Sequence, residues 1–174
     1  MPVRFRASRL MAVALAACSP LLMGASSLSS GFEMRILAAH NRERASLNIA
    51  PLRWNTELAA DAQKWADHLA ATGAFKHAPE RIDEPQGENL WAGTRNAFVV
   101  ESRVGAWIRE KSYFKQGVFP HNSTTGDVED VGHYTQLIWR DTHEVGCAQA
   151  AGTREDFLVC RYSSAGNYIG ERVY

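Results

Sequence analysis

The sequence predicts an α+β domain, with helices first and a β-hairpin last. Two observations predict it. Apolar residues recur at helical spacing in three stretches before residue 112. Later, two short β-like runs at residues 145–149 and 157–162 flank a turn-like segment at 151–156. Helices and strands segregated in this way build α+β rather than α/β folds. With 174 residues, 45% of them hydrophobic, and five tryptophans, the chain makes one ordinary domain with a substantial core.

Residues 1–27 read as a targeting segment. Arg4, Arg6 and Arg9 form a positive start and residues 10–17 an apolar run. That run is shorter than the roughly 20 apolar residues of a membrane-spanning helix. Two exits are open. Leu15-Ala-Ala-Cys18 is similar to a bacterial lipobox, which would make Cys18 the lipidated N-terminus and tether the domain to a membrane. Cleavage near Ala25-Ser-Ser27 would instead release the domain and discard Cys18. Either exit leads to an oxidising compartment, extracellular or periplasmic. Charges balance at 19 against 19. Without the three leader arginines the remainder is mildly acidic and shows no basic stripe, which argues against a nucleic-acid partner.

The elements follow in order. Residues 26–31 read as a polar linker and 32–47 as the first helix, with Phe32, Ile36, Leu37, His40 and Arg44 near one face. His40 there reads as a structural histidine. Pro51 to Trp54 is an extended approach, and Asn55 is an N-cap for the next helix. Leu58, Ala62, Trp65, Ala66 and Leu69 form its core stripe, ended by Gly73, with His68 off the stripe in solvent. Residues 74–96 read as an irregular, function-bearing loop rich in Trp, His and Glu. Helical spacing returns with Ala97, Val100, Val104, Trp107 and Ile108. Glu110 flanks that buried face, where a carboxylate is partly desolvated and wants a partner. A long polar loop, residues 117–130, carries an exposed His121.

Gly132 supplies a sharp turn before a short helix in which Tyr134, Leu137 and Ile138 share a face. His133 then sits at the positive end of the helix dipole, which favours the neutral, ligating imidazole. Cys147 and Cys160 remain once the leader is set aside. Antiparallel pairing of their strands would bring the sulfurs within reach; two free buried thiols are the alternative.

Four motifs carry a resemblance. Gly132-His-Tyr-Thr-Gln-Leu-Ile-Trp139, His40-Asn-Arg-Glu-Arg44, Gly87-Glu-Asn-Leu90 and the run from Phe157 to Tyr168 occur in the order of the CAP superfamily. That superfamily comprises cysteine-rich secretory proteins, antigen 5 and plant pathogenesis-related proteins. The resemblance covers residues 32–174. Ser164 departs from it where many members carry proline, a change expected to loosen a loop. The resemblance implies a three-layer α-β-α sandwich with a central antiparallel sheet, and a Cys147–Cys160 disulfide. It also implies a central cavity formed by His77, Glu88, Glu110 and His133.

Chemistry offers several uses for such a cavity. His77 and His133 could ligate Zn²⁺ or another divalent cation weakly, with Glu88 and Glu110 orienting them. The four side chains could instead form a structural network. Glu110, His133 and Glu88 could also act as general bases in a metal-assisted peptide or ester hydrolase. No nucleophile motif accompanies them: Thr135 is near His133, but Gly-x-Ser-x-Gly is absent. The resemblance favours a non-enzymatic, secreted or surface-tethered binding module with sterol or other lipid ligands and a host or cell-surface partner. Trp91, Phe114 and Phe119 are candidates to line an apolar groove.

Overall fold

The computed structural model describes residues 22–79 and 82–174. Cys18 and most of the leader lie outside the described residues. The order is α1 (Leu22–Ser46), β1 (Arg53–Trp54), α2 (Thr56–Thr72), β2 (Gly87–Thr94), α3 (Val100–Arg109), α4 (Gly132–Leu137), β3 (Glu144–Ala151) and β4 (Glu155–Ser163). Two 3-10 turns, Glu110–Tyr113 and Val128–Val131, join α3 to α4. Among the described residues no helix is long and apolar enough to cross a membrane.

The strands form one sheet in the order β1-β3-β4-β2. It is antiparallel except for β1, which joins β3 parallel through Arg53↔Glu144 and Trp54↔Val145. Side chains alternate between the faces of a strand, and this alternation makes the three layers. Leu158, Cys160 and Tyr162 of β4 enter a core with α1, α3 and α4. Phe157 and Val159 enter a second core with Ala62, Ala66 and Leu69 of α2. Each fully buried leucine such as Leu69 contributes roughly 2 kcal/mol. Trp65 is only half-buried and hydrogen-bonds the Lys76 carbonyl through its indole nitrogen.

The α2 helix is capped as its sequence predicts. The Asn55 side chain accepts from the amides of Glu57 and Leu58 at 2.9 and 3.1 Å. Gly73 ends the helix in the left-handed conformation at φ 68°. The helix lies so close to the sheet that a Cβ on Gly146 would stand 2.2 Å from the Ala59 nitrogen. Cys147 and Cys160 face each other directly across β3 and β4 and form the disulfide, with Cα atoms 4.1 Å apart. A bridge closing a loop of this size contributes about 3 kcal/mol.

The motif in α1 is structural. The buried Arg44 guanidinium donates to the carbonyls of Ala50, Leu137, Trp139 and Thr142 at 2.8–3.0 Å. Burial pushes it down to about 10, which leaves it charged at neutral pH. His40 is also buried, and desolvation pushes it down to about 4. Its Nδ1–H donates to the Ile36 carbonyl, so its Nε2 must accept from the Tyr162 hydroxyl, each at 2.9 Å.

Three expectations are corrected. Residues 26–31 continue α1 rather than forming a linker; the stretch lacks proline, and a helix already nucleated tolerates its serines. Part of the supposed loop at 74–96 is strand β2. Glu88 and Asn89 are poor strand formers, and pairing with β4 overrides their propensity. Gly132 makes no sharp turn: it has ordinary helical angles, φ −62° and ψ −38°.

Candidate functional site

The four expected site residues form two His–Glu pairs. Glu110 follows α3 and reaches the start of α4. Its Oε1 lies 2.7 Å from His133 Nδ1, and its Oε2 accepts from the amides of His133 and Tyr134 at 3.1 and 3.0 Å. The carboxylate thus occupies the positive end of α4 that the sequence reading gave to the imidazole. Trp107 stacks on the His133 ring, with centroids 6.1 Å apart and planes 10° from parallel.

The second pair is built on the start of β2 and the segment before it. Glu88 Oε1 lies 2.7 Å from His77 Nδ1 and accepts from the Ala78 amide at 3.0 Å. Hydrogen bonding to Glu88 holds His77 above its ordinary 6.5, against the opposing effect of burial. Glu88 faces Arg161 in register, and Arg161 Nη2 lies 2.9 Å from Glu88 Oε2. This contact is ionic and off the hydrogen-bond line. Among the described residues, Glu88 Oε2, Arg161 Nε and Gln86 Oε1 are buried and have no hydrogen-bond partner.

Strand alternation sets which side chains of β2 and β4 meet. Arg161 shares the α2 face with Val159, and Glu88 pairs with it there. Asn89, next in sequence, points the other way, and its side-chain amide reaches the His133 carbonyl at 3.0 Å. Among the described residues, no three His, Cys, Asp or Glu side chains are grouped closely enough to hold a metal ion.

A groove of about 710 Å³ opens beside the second pair. His77, Ile82, Pro85, Glu88, Arg161 and Ile169 are among its lining. Ile82 and Ile169 are 92% and 82% exposed. The aromatics expected to line a groove are packed elsewhere. Phe119 meets Trp139 edge-on, Phe114 packs on Tyr134 and Tyr174, and Trp91 lies under the Arg103 guanidinium. His121 and His68 are exposed, the latter stacked on Trp65.

The rest of the signature run holds the C-terminal segment. The buried Thr135 hydroxyl is shared between the Gly132 carbonyl and Asn167 Oδ1. Gln136 bonds the Gly166 amide and the Thr142 hydroxyl. The Ser164 carbonyl accepts from the Thr142 hydroxyl at 2.8 Å. Sequence reasoning missed Arg161, Ile82 and Ile169. Arg161 carried a usable signal: alternation with Val159 places a cation on a buried face, where it requires an anion.

A mostly antiparallel sheet between helical layers, stapled by one cross-strand disulfide and carrying paired histidines and glutamates, defines the class of protein. Residues 37–162 match the cysteine-rich secretory protein family, and the chain belongs to that family, the CAP proteins. It is 37% identical over 140 residues to pathogenesis-related protein 1A of Nicotiana tabacum, covering 79% of this chain and 78% of the relative. It is 34% identical over 148 residues to pathogenesis-related protein PR-1 of Medicago truncatula, covering 84% and 81%. Among solved structures, NaASP2 with Zn²⁺ superposes with a TM-score of 0.70 at 23% identity, covering 82% of this chain and 84% of that one. BmVAL-1 superposes with a TM-score of 0.66 at 28% identity, covering 82% and 81%.

Proposed function

We propose that this protein is a secreted, non-enzymatic binding module that holds an amphipathic lipid, such as a sterol, in the groove beside His77 and Glu88. One observation carries this reading. Exposed Ile82 and Ile169 line a groove that also reaches Glu88, Arg161 and Gln86, each with a buried polar atom that has no hydrogen-bond partner among the described residues. An apolar body with one hydroxyl or headgroup matches that distribution. Fluorescent sterol and fatty-acid titrations of the mature protein test it. Saturable binding, weakened at least tenfold by Ile169→Asp, is expected; no saturable binding retires the reading.

A divalent-cation reading rests on a separate observation. Each imidazole turns Nδ1 to a carboxylate, and its Nε2 has no hydrogen bond among the described residues. Ligating histidines adopt that arrangement. With no third ligand grouped among the described residues, His77 and His133 would hold Zn²⁺ weakly and exchangeably. Zinc would supply Lewis acidity; the two glutamates would orient the rings. The NaASP2 structure was solved with Zn²⁺, but a likeness at that identity supports the fold alone. Calorimetric Zn²⁺ titrations of wild type and His133→Ala should differ, and identical isotherms would eliminate the metal. The hydrolytic alternative through Glu110, His133 and Glu88 gains no nucleophile, because Thr135 is buried and its hydroxyl committed.

A further inference from the structure

We infer that the open edge of β3, opposite the Glu88 side of the sheet, is a docking slot for an extended peptide strand of a partner protein. Three observations fix the backbone direction. The Gly152 amide bonds the Glu155 carbonyl, so even-numbered residues of β3 point their N–H and C=O groups toward β4. The Val145 carbonyl accepts from the Asn55 amide on the other side, so odd-numbered residues point outward. Cys147 and Cys160, with Cα atoms 4.1 Å apart, have the close spacing of a pair that exchanges no backbone hydrogen bonds. The outward groups of Val145 meet β1. That strand ends at Trp54, and the chain turns into α2.

The outward N–H and C=O groups of Cys147 and Gln149 therefore face an edge with no partner among the described residues. Cys147 is only 3% exposed, and buried backbone groups are rarely left unpaired. A slot of about 410 Å³ runs along these residues, walled by Phe32 and Glu33 of α1, Trp54, and Ala59 and Gln63 of α2. It continues the plane of the sheet between the two helical layers. A single extended strand fits there at the ordinary 4.8 Å strand spacing. A second copy does not, because its β3 edge is recessed between the same helices. Among the described residues that line the slot, Glu33 is the one charged side chain. The matching strand carries a Lys or Arg beside it and an apolar residue against Phe32 and Trp54. Recognition of this kind takes affinity from main-chain bonds and selectivity from alternate side chains.

The test uses the mature protein and a labelled peptide of alternating valine and lysine. In dilute protein, amide exchange at Cys147 and Gln149 should be at least tenfold faster than at Gly146 and Ala148. Saturating peptide should protect both amides, and a copy methylated at alternate backbone nitrogens should not bind. Gln149→Pro removes an outward N–H from the ladder, together with the side-chain oxygen that accepts from Arg103, and should weaken binding about three- to tenfold. Glu33→Lys leaves β3 untouched and should weaken binding in a salt-dependent way, which serves if the proline variant misfolds. Protection of both amides in the free monomer overturns the proposal. So does failure of the peptide to bind. Protection that grows with protein concentration alone would assign the edge to a second copy instead, and also overturns it.

Discussion

The two His–Glu pairs use the same atoms differently. At His133 the glutamate takes three donors, two of them backbone amides, and the ring lies against Trp107. At His77 the side chain is 66% exposed, while its glutamate is 8% exposed and bound to an arginine. The first pair fastens α4 to the end of α3. In the second, the buried Glu88–Arg161 contact is framework, and His77 is a reporter at the mouth of a groove. A shared residue pattern therefore does not imply a shared role.

The largest expected effect separates the two halves of the second pair. Arg161→Met leaves Glu88 buried without its cation and should cost about 3 kcal/mol in chemical denaturation. A loss below about 1 kcal/mol would mean that Glu88 is solvated. Glu110→Ala comes next, at about 2 kcal/mol, because two helix-end amides and His133 lose a charged acceptor. Hydrogen exchange should localise that loss to residues 132–137, and a uniform change would deny Glu110 its anchoring role.

His77→Gln should have the smallest effect, about 0.5 kcal/mol or less, since the side chain is mostly exposed and screened. Its signature is pH dependence. Folded His77 binds its proton more tightly than unfolded, so its contribution is fully present below about 6.5 and is lost as pH rises through its raised value. The stability difference between wild type and variant should therefore shrink toward alkaline pH. His40 works oppositely: its depressed value makes the fold lose stability as pH falls from 6.5 toward 4. That term is common to both proteins and cancels in the difference. A difference that grows with pH would reverse the assignment.

Much of this was legible before any coordinates. The α2 stripe, its caps and the hairpin follow from local rules, because each is set by neighbours within a few residues. Glu110 was legible as a partly buried carboxylate that needed a partner. The strand at Gly87–Thr94 was not legible, since its polar start is held by pairing with residues some seventy positions away. Nor was the Glu88–Arg161 contact. It depends on which face of an edge strand Glu88 takes, and that register is set by β4. The groove was sought among aromatics, which tertiary contacts had already consumed. Its apolar rim is instead two exposed isoleucines in segments with no periodicity.

The guanidinium of Arg44 has a consequence for how the chain is made. Its acceptors at Leu137, Trp139 and Thr142 lie 93 to 98 residues downstream. During synthesis or export, the end of α1 emerges long before the carbonyls that solvate its cation. An N-terminal fragment holds only the Ala50 carbonyl of the four that receive that charge, so completing this buried network requires late chain segments. A nascent molecule would therefore stay open, and available to chaperones, until nearly all of it has appeared.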